Sequence, residues 1–116
     1  MSKFMDALND RILLCDGGTG SLVQMMNLDV VRDFDGRENC TEVLNRTRPD
    51  VVREIHRNYL AAGSDMVQTN SFGGSPITLA EFDLQDEAFE LNRRAAELAR
   101  EAIGEFAHDE IGRAHV

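Results

Sequence analysis

The sequence lacks the features that mark nucleic-acid, membrane and secreted proteins. It has one lysine, Lys3, and no cluster of arginines stands out against a formal net charge of −9, which argues against a nucleic-acid footprint. No apolar run approaches the roughly 20 residues of a membrane span, and Met1 to Asp10 has no apolar segment of a secretory signal. The two cysteines, Cys15 and Cys40, form neither a CxxC pair nor a disulfide framework. That usage fits a reducing compartment, and the chain is expected to be cytoplasmic. There is no internal repeat and no low-complexity stretch. What is present is 116 residues, 42% hydrophobic and 28% charged, enough for one small globular domain.

The chain is organised around Ile12-Leu13-Leu14-Cys15-Asp16-Gly17-Gly18-Thr19-Gly20. A short apolar run closed by glycines reads as a strand buried on both faces, as in parallel sheets. Cys15 is then a small core residue, while Cys40 is left undetermined. After Asp16 the glycines let the backbone turn and aim N–H groups outward. A carboxylate and free amides thus share the strand's C-terminal end, where α/β proteins place ligands. A zwitterionic amino acid suits this pair, its ammonium on Asp16 and its carboxylate on the amides of Gly17 and Gly18. The alternative is a tight βα turn with a capping aspartate.

Phe4, Met5 and Leu8 recur at helical spacing, predicting a short amphipathic helix over Ser2 to Asn9 that packs under the sheet. Leu22, Val23, Met25 and Met26 suggest a further helical turn or two. Residues 27–44 read as a long surface loop, a type of segment that is often functional. Thr47-Arg48-Pro49-Asp50 opens a helix, with Thr47 as N-cap and Asp50 near the positive end of the dipole. Its inner face holds Val52, Ile55 and Tyr59, and Gly63 stops it. His56, with no partner at metal-ligand spacing, is expected to be an ordinary surface or packing residue.

Asp65 to Asn70 reads as a second strand, so a right-handed crossover sets Thr69 and Asn70 beside Asp16. Ser75-Pro76 caps a short helix reaching Phe82. A last helix is expected from about Asp86 to Phe106, with Leu91, Ala95, Leu98, Ala102 and Phe106 as its apolar stripe. On its outer face Glu90 is expected to pair with Arg94, while Glu97 and Glu101 oppose each other.

Several motifs, in order, resemble the homocysteine S-methyltransferase family. They are Leu14-Cys15-Asp16-Gly17-Gly18-Thr19-Gly20-Ser21, Leu44-Asn45-Arg46-Thr47-Arg48-Pro49-Asp50 and, above all, Ala62 to Gly74 (AGSDMVQTNSFGG). Leu79-Ala80-Glu81-Phe82 and Glu90-Leu91-Asn92-Arg93 extend the likeness, which covers about Ile12 to Ala102. It is strongest toward the homocysteine-binding domain of the cobalamin-dependent branch, with the betaine-dependent bacterial enzymes next. The resemblance implies an α/β fold, here the N-terminal βαβα portion of an incomplete (β/α)8 TIM barrel over 1–110. It implies methyl transfer to homocysteine giving methionine, with homocysteine's thiolate bound to zinc, and a substrate end held by Asp16, Gly17, Gly18, Thr69 and Asn70. Such a barrel needs about 250 residues, and neither Cys15 nor Cys40 matches the family's zinc ligands. Zinc is therefore assigned to a longer parent, with cobalamin and folate as candidates for its other domains, while the methyl donor (methylcobalamin or folate, betaine, or S-methylmethionine) is left open. The fragment is expected to be inactive alone, with no catalytic or metal-binding residue of its own.

Residues 111–116 break the helical pattern, show none of the family motifs quoted above, and equal the translation of a common sequencing-adapter start. They are expected to be a non-native tail. Two rival readings remain. One is a small phosphate-binding α/β module, which has no P-loop lysine and has a carboxylate at the turn's mouth. The other is association with further chains through exposed sheet edges.

Overall fold

The computed structural model describes residues 3–109. Among them six α-helices follow in order: α1 (Lys3–Asp10), α2 (Gly20–Met25), α3 (Leu44–Thr47), α4 (Pro49–Ala61), α5 (Pro76–Leu79) and α6 (Ala88–Asp109). Short 3-10 turns occupy Thr41–Val43, Ala80–Phe82 and Gln85–Glu87. The core lies where α4, α3 and the 3-10 turns meet α6. Val43, Leu44, Val52, Ile55, Leu79, Leu84, Leu91 and Leu98 are buried there in one cluster. On α6 the expected stripe is seen: Leu91, Ala95, Leu98 and Ala102 are buried at spacings of three and four.

α4 and α6 form the main packed pair. Arg53 reaches Glu101 at 3.2 Å and Arg57 reaches Glu105 at 2.6 Å. The pairs keep the same order along both helices, so α4 and α6 run in the same direction and residues 62–87 carry the chain back between them. Around that seam Arg94 also meets Glu101, and Arg93 meets Glu90 and Glu97. Arg93 rather than Arg94 therefore partners Glu90, and arginines stand between Glu97 and Glu101.

The α/β reading is overturned. The strand content is one isolated parallel bridge, Cys15 with Met66, and among the described residues no sheet forms. Met66 N–H donates to Leu14 O at 3.2 Å and Asp16 N–H to Met66 O at 3.1 Å. The next rung on either side is taken by a side chain. Leu14 N–H donates to Asp65 Oδ2 at 2.9 Å, and Gln68 N–H to the Asp16 carboxylate at 3.0 and 3.1 Å. Carboxylates thus compete with the ladder at both ends. A parallel pair also needs cover on both faces and further strands to persist, and here Ile12 is 85% exposed and Leu14 57%. A βαβα portion of a TIM barrel is therefore not the architecture of this chain.

Related expectations change with it. Cys15 is exposed, whereas Cys40 is fully buried. α1 forms as the spacing predicts but has no buried residue, because there is no sheet for Phe4, Met5 and Leu8 to pack under. Thr47 does not cap α4. It ends α3, and its hydroxyl donates back to Val43 O and to Asp33 O, while Arg48 takes the cap position. Asp50, in the first turn of α4, pairs with Arg48. Residues 27–44 are not purely a surface loop either. Asp33 is buried and accepts from the Asp29 N–H and from Arg48, which hold its carboxyl below the usual range. Gly63 ends α4 as expected, at φ +112, a left-handed conformation that glycine tolerates. Ser75 caps α5, its hydroxyl accepting from Thr78 N–H. The segment 111–116, read as a non-native tail, lies outside the described residues.

Candidate functional site

A cavity of about 360 Å³ opens between the turn after the Cys15–Met66 bridge, the Thr41–Val43 turn and the segment after Met66. Of the residues singled out from sequence, Asp16, Gly17, Thr69 and Asn70 line it. Gly18 does not. Its carbonyl accepts the Tyr59 hydroxyl at 2.6 Å, which fastens the glycine turn to α4. Gly17 lies against the same tyrosine, where an added Cβ would stand 3.3 Å from the hydroxyl. The amides of Gly17 and Gly18 donate to no described residue, so the turn leaves donors beside the Asp16 carboxylate.

Asp16 is held by the backbone N–H of Gln68 on both carboxylate oxygens. The contact that shortens the ladder therefore also orients the carboxylate. Asn70 carries the neighbouring wall through a partly buried amide network. Its Nδ2 donates to Thr41 O at 2.8 Å and to Asn45 Oδ1 at 2.9 Å, while Asn45 Nδ2 donates to Asn70 O and Leu91 O. This ties the segment to α3 and α6 and commits the donor side of Asn70 to structure. Thr69 is exposed, and its hydroxyl bonds the Ser71 hydroxyl at 2.6 Å.

Glu42 was not singled out from sequence. It is buried, lines the cavity, and accepts from Gly73 N–H at 2.9 Å. The only signal was its place, a carboxylate beside the apolar Val43-Leu44 at the end of a segment already suspected of function. His56 was expected to be ordinary. It is buried, and neither ring nitrogen has a hydrogen-bond partner among the described residues. Burial pushes its pKa below the ordinary value, an effect the Asp16 charge partly offsets.

The lining therefore brings two carboxylates, Asp16 and Glu42, to one cavity without a lysine or arginine. Such a lining attracts a cation and repels phosphate. Among the described residues no three of histidine, cysteine, aspartate and glutamate converge as metal ligands. Burial pushes the Cys40 thiol up, away from the thiolate that a metal requires. No helix among the described residues is long and apolar enough to cross a membrane.

A family model described as homocysteine S-methyltransferase matches residues 13–115. Methionine synthase of Mycobacterium tuberculosis (strain ATCC 25618 / H37Rv) is 41% identical over 104 residues, covering 90% of this chain and 9% of that protein. Methionine synthase of Mycobacterium leprae (strain TN) is 40% identical over 104 residues, covering 90% of this chain and 8% of that protein. The chain thus spans less than a tenth of the length of these relatives. The resemblance read from the motifs is borne out by these matches.

Proposed function

Because the chain belongs to the homocysteine S-methyltransferase family, we propose that its cavity receives the amino-acid end of homocysteine and contributes that half-site to a methyl transfer giving methionine. The observation that carries this reading is the cavity's pair of carboxylates with no opposing cation. In it the homocysteine ammonium lies between Asp16 and Glu42. Its carboxylate takes the outward amide of Gly17. Asp16 is already oriented by Gln68, so binding requires little rearrangement there. Thr69 and Asn70 shape the wall, Asn70 chiefly by its ties to Asn45 and Thr41.

In the reaction, the homocysteine sulfur forms a bond to the methyl carbon as the bond from that carbon to its donor breaks. The residues described here bind and orient one end of the nucleophile. They do not fit zinc: Cys15 is exposed, Cys40 is buried beside Glu42, and no third ligand joins either. No step of the transfer is assigned to a metal in this chain, and the chain alone is expected to bind without turning over. The named relatives favour a likeness to methionine synthase over the betaine-dependent enzymes, while the lining disfavours the phosphate-binding alternative.

A second reading concerns self-association. The edge of the single bridge is short, but Ile12, Phe72 and Ile77 are exposed at 85%, 105% and 86%, which supports contact between copies.

The binding reading is tested by titrating the chain with L-homocysteine, with Glu42→Gln as the informative variant. Weak heat that falls several-fold in Glu42→Gln, while inorganic phosphate gives none, is the expected outcome. Phosphate binding with no response to homocysteine would sink it.

A further inference from the structure

Below the floor of the larger cavity lies a second one of about 10 Å³, the size of a single water. His56 lines it from α4, and Thr19, Gln68 and Asn70 line it from above, the same three residues that wall the larger cavity. The remaining lining is aliphatic: Val23, Leu44, Val52 and Ile55. His56 is 3% exposed and has no described partner on Nδ1 or Nε2. A neutral imidazole carries one donor and one acceptor, and leaving both unmet in an apolar setting is costly. Here His56 lines a cavity in which polar residues and room for a water coincide.

We propose that this small cavity is a binding site for one water, through which His56 holds the 68–70 segment in register. His56 is thus a positioning residue for the homocysteine site. It touches no substrate. The water takes one hydrogen bond from, or gives one to, the imidazole and spends the others on the polar atoms of Thr19, Gln68 and Asn70. Gln68 in turn orients Asp16 through its backbone N–H. The chain of contacts therefore runs from the buried ring to the carboxylate proposed to meet the ammonium. The functional half of this inference rests on the homocysteine reading, whereas the water and the positioning of the segment do not.

The test uses the 116-residue chain, its His56→Phe and His56→Gln variants, and amide hydrogen exchange at Gln68 and Ser71. Phenylalanine fills the space without a polar atom, so a packing role alone leaves exchange unchanged or slower. Positioning through water predicts exchange about five- to tenfold faster in His56→Phe and near-parental exchange in His56→Gln. Should His56→Phe not fold, the ring nitrogens of the parent chain decide by nitrogen-15 spectroscopy. One fixed neutral tautomer is expected, and a ring averaging freely between tautomers overturns the proposal. Unchanged exchange in a folded His56→Phe overturns it as well. If the parent chain binds no homocysteine while exchange responds as stated, the positioning stands and the homocysteine reading falls.

Discussion

At Gly74 an added Cβ would collide with the side-chain amide of Asn92, which donates to Gly74 O and Ala88 O from α6. Both bonds must shift to make room, so Gly74→Ala is expected to cost about 1–3 kcal/mol in urea unfolding. Gly20, with open space at its Cβ position and a place at the start of α2, is the control. Gly20→Ala is expected to be neutral or slightly stabilising, and equal losses in both variants would refute the steric account. Asp16 differs from both because its carboxylate ends the ladder as well as facing the cavity. Asp16→Asn keeps an acceptor for Gln68 N–H but removes the charge. It is expected to keep the fold, read as an unchanged circular dichroism spectrum, while weakening homocysteine about tenfold or more. A variant that binds as tightly as the parent would remove the carboxylate from the site.

Packing between elements is concentrated on α4 and α6. Leu98 is fully buried in that seam, so Leu98→Ala is expected to cost about 2–5 kcal/mol. Arg57→Ala removes exposed pairs to Glu54 and Glu105 and is expected to cost less than about 1 kcal/mol. Denaturant midpoints for the two variants check that ordering, and a larger loss for Arg57→Ala would contradict it. The helices were legible in the sequence because their signals are local: the stripe from Leu91 to Ala102, Pro49, the Ser75-Pro76 cap and Gly63. The strands were not, because a strand's stability comes from neighbours and cover rather than from its own pattern. Ile12 to Leu14 has the apolar run, yet Asp16 and Asp65, both visible in sequence, bind the flanking N–H groups and leave one bridge. Thr47 misled for a similar reason: a good capping residue found a nearer partner at Asp33. The site was half legible. Asp16, Gly17, Thr69 and Asn70 do meet at one cavity, while Gly18 serves Tyr59, and Glu42 and His56 carried no pattern that pointed to them.

For the whole molecule, the buried His56 and the ion-paired carboxylates Asp33, Asp50, Asp65 and Glu90, each held below its ordinary value, set the response to acid. His56 is buried with its pKa below the ordinary 6.5, so its contribution is complete above 6.5 and is lost as pH falls from there through the depressed folded value. Asp65 is lowered from 3.8 by the Arg11 guanidinium and the Leu14 N–H. Its contribution is complete above 3.8 and is lost as pH falls further. Urea midpoints are therefore expected to fall in two stages, and the first stage is expected to vanish in His56→Phe. A midpoint that rises between pH 6.5 and 5 would have the wrong sign. The exposed Ile12, Leu14 and Phe72 are expected to give an apparent mass in sedimentation that grows with concentration, and Ile12→Lys with Leu14→Lys is expected to reduce it. A monomer at every concentration would show that these side chains recruit no second copy. The most direct measurement for the molecule as a whole is isothermal titration of the chain with L-homocysteine, beside Asp16→Ala and with zinc present and absent. A half-site formed by Asp16, Glu42 and the glycine turn predicts weak binding that is indifferent to zinc and lost in Asp16→Ala. Binding that appears only with zinc, or that survives in Asp16→Ala, would contradict it.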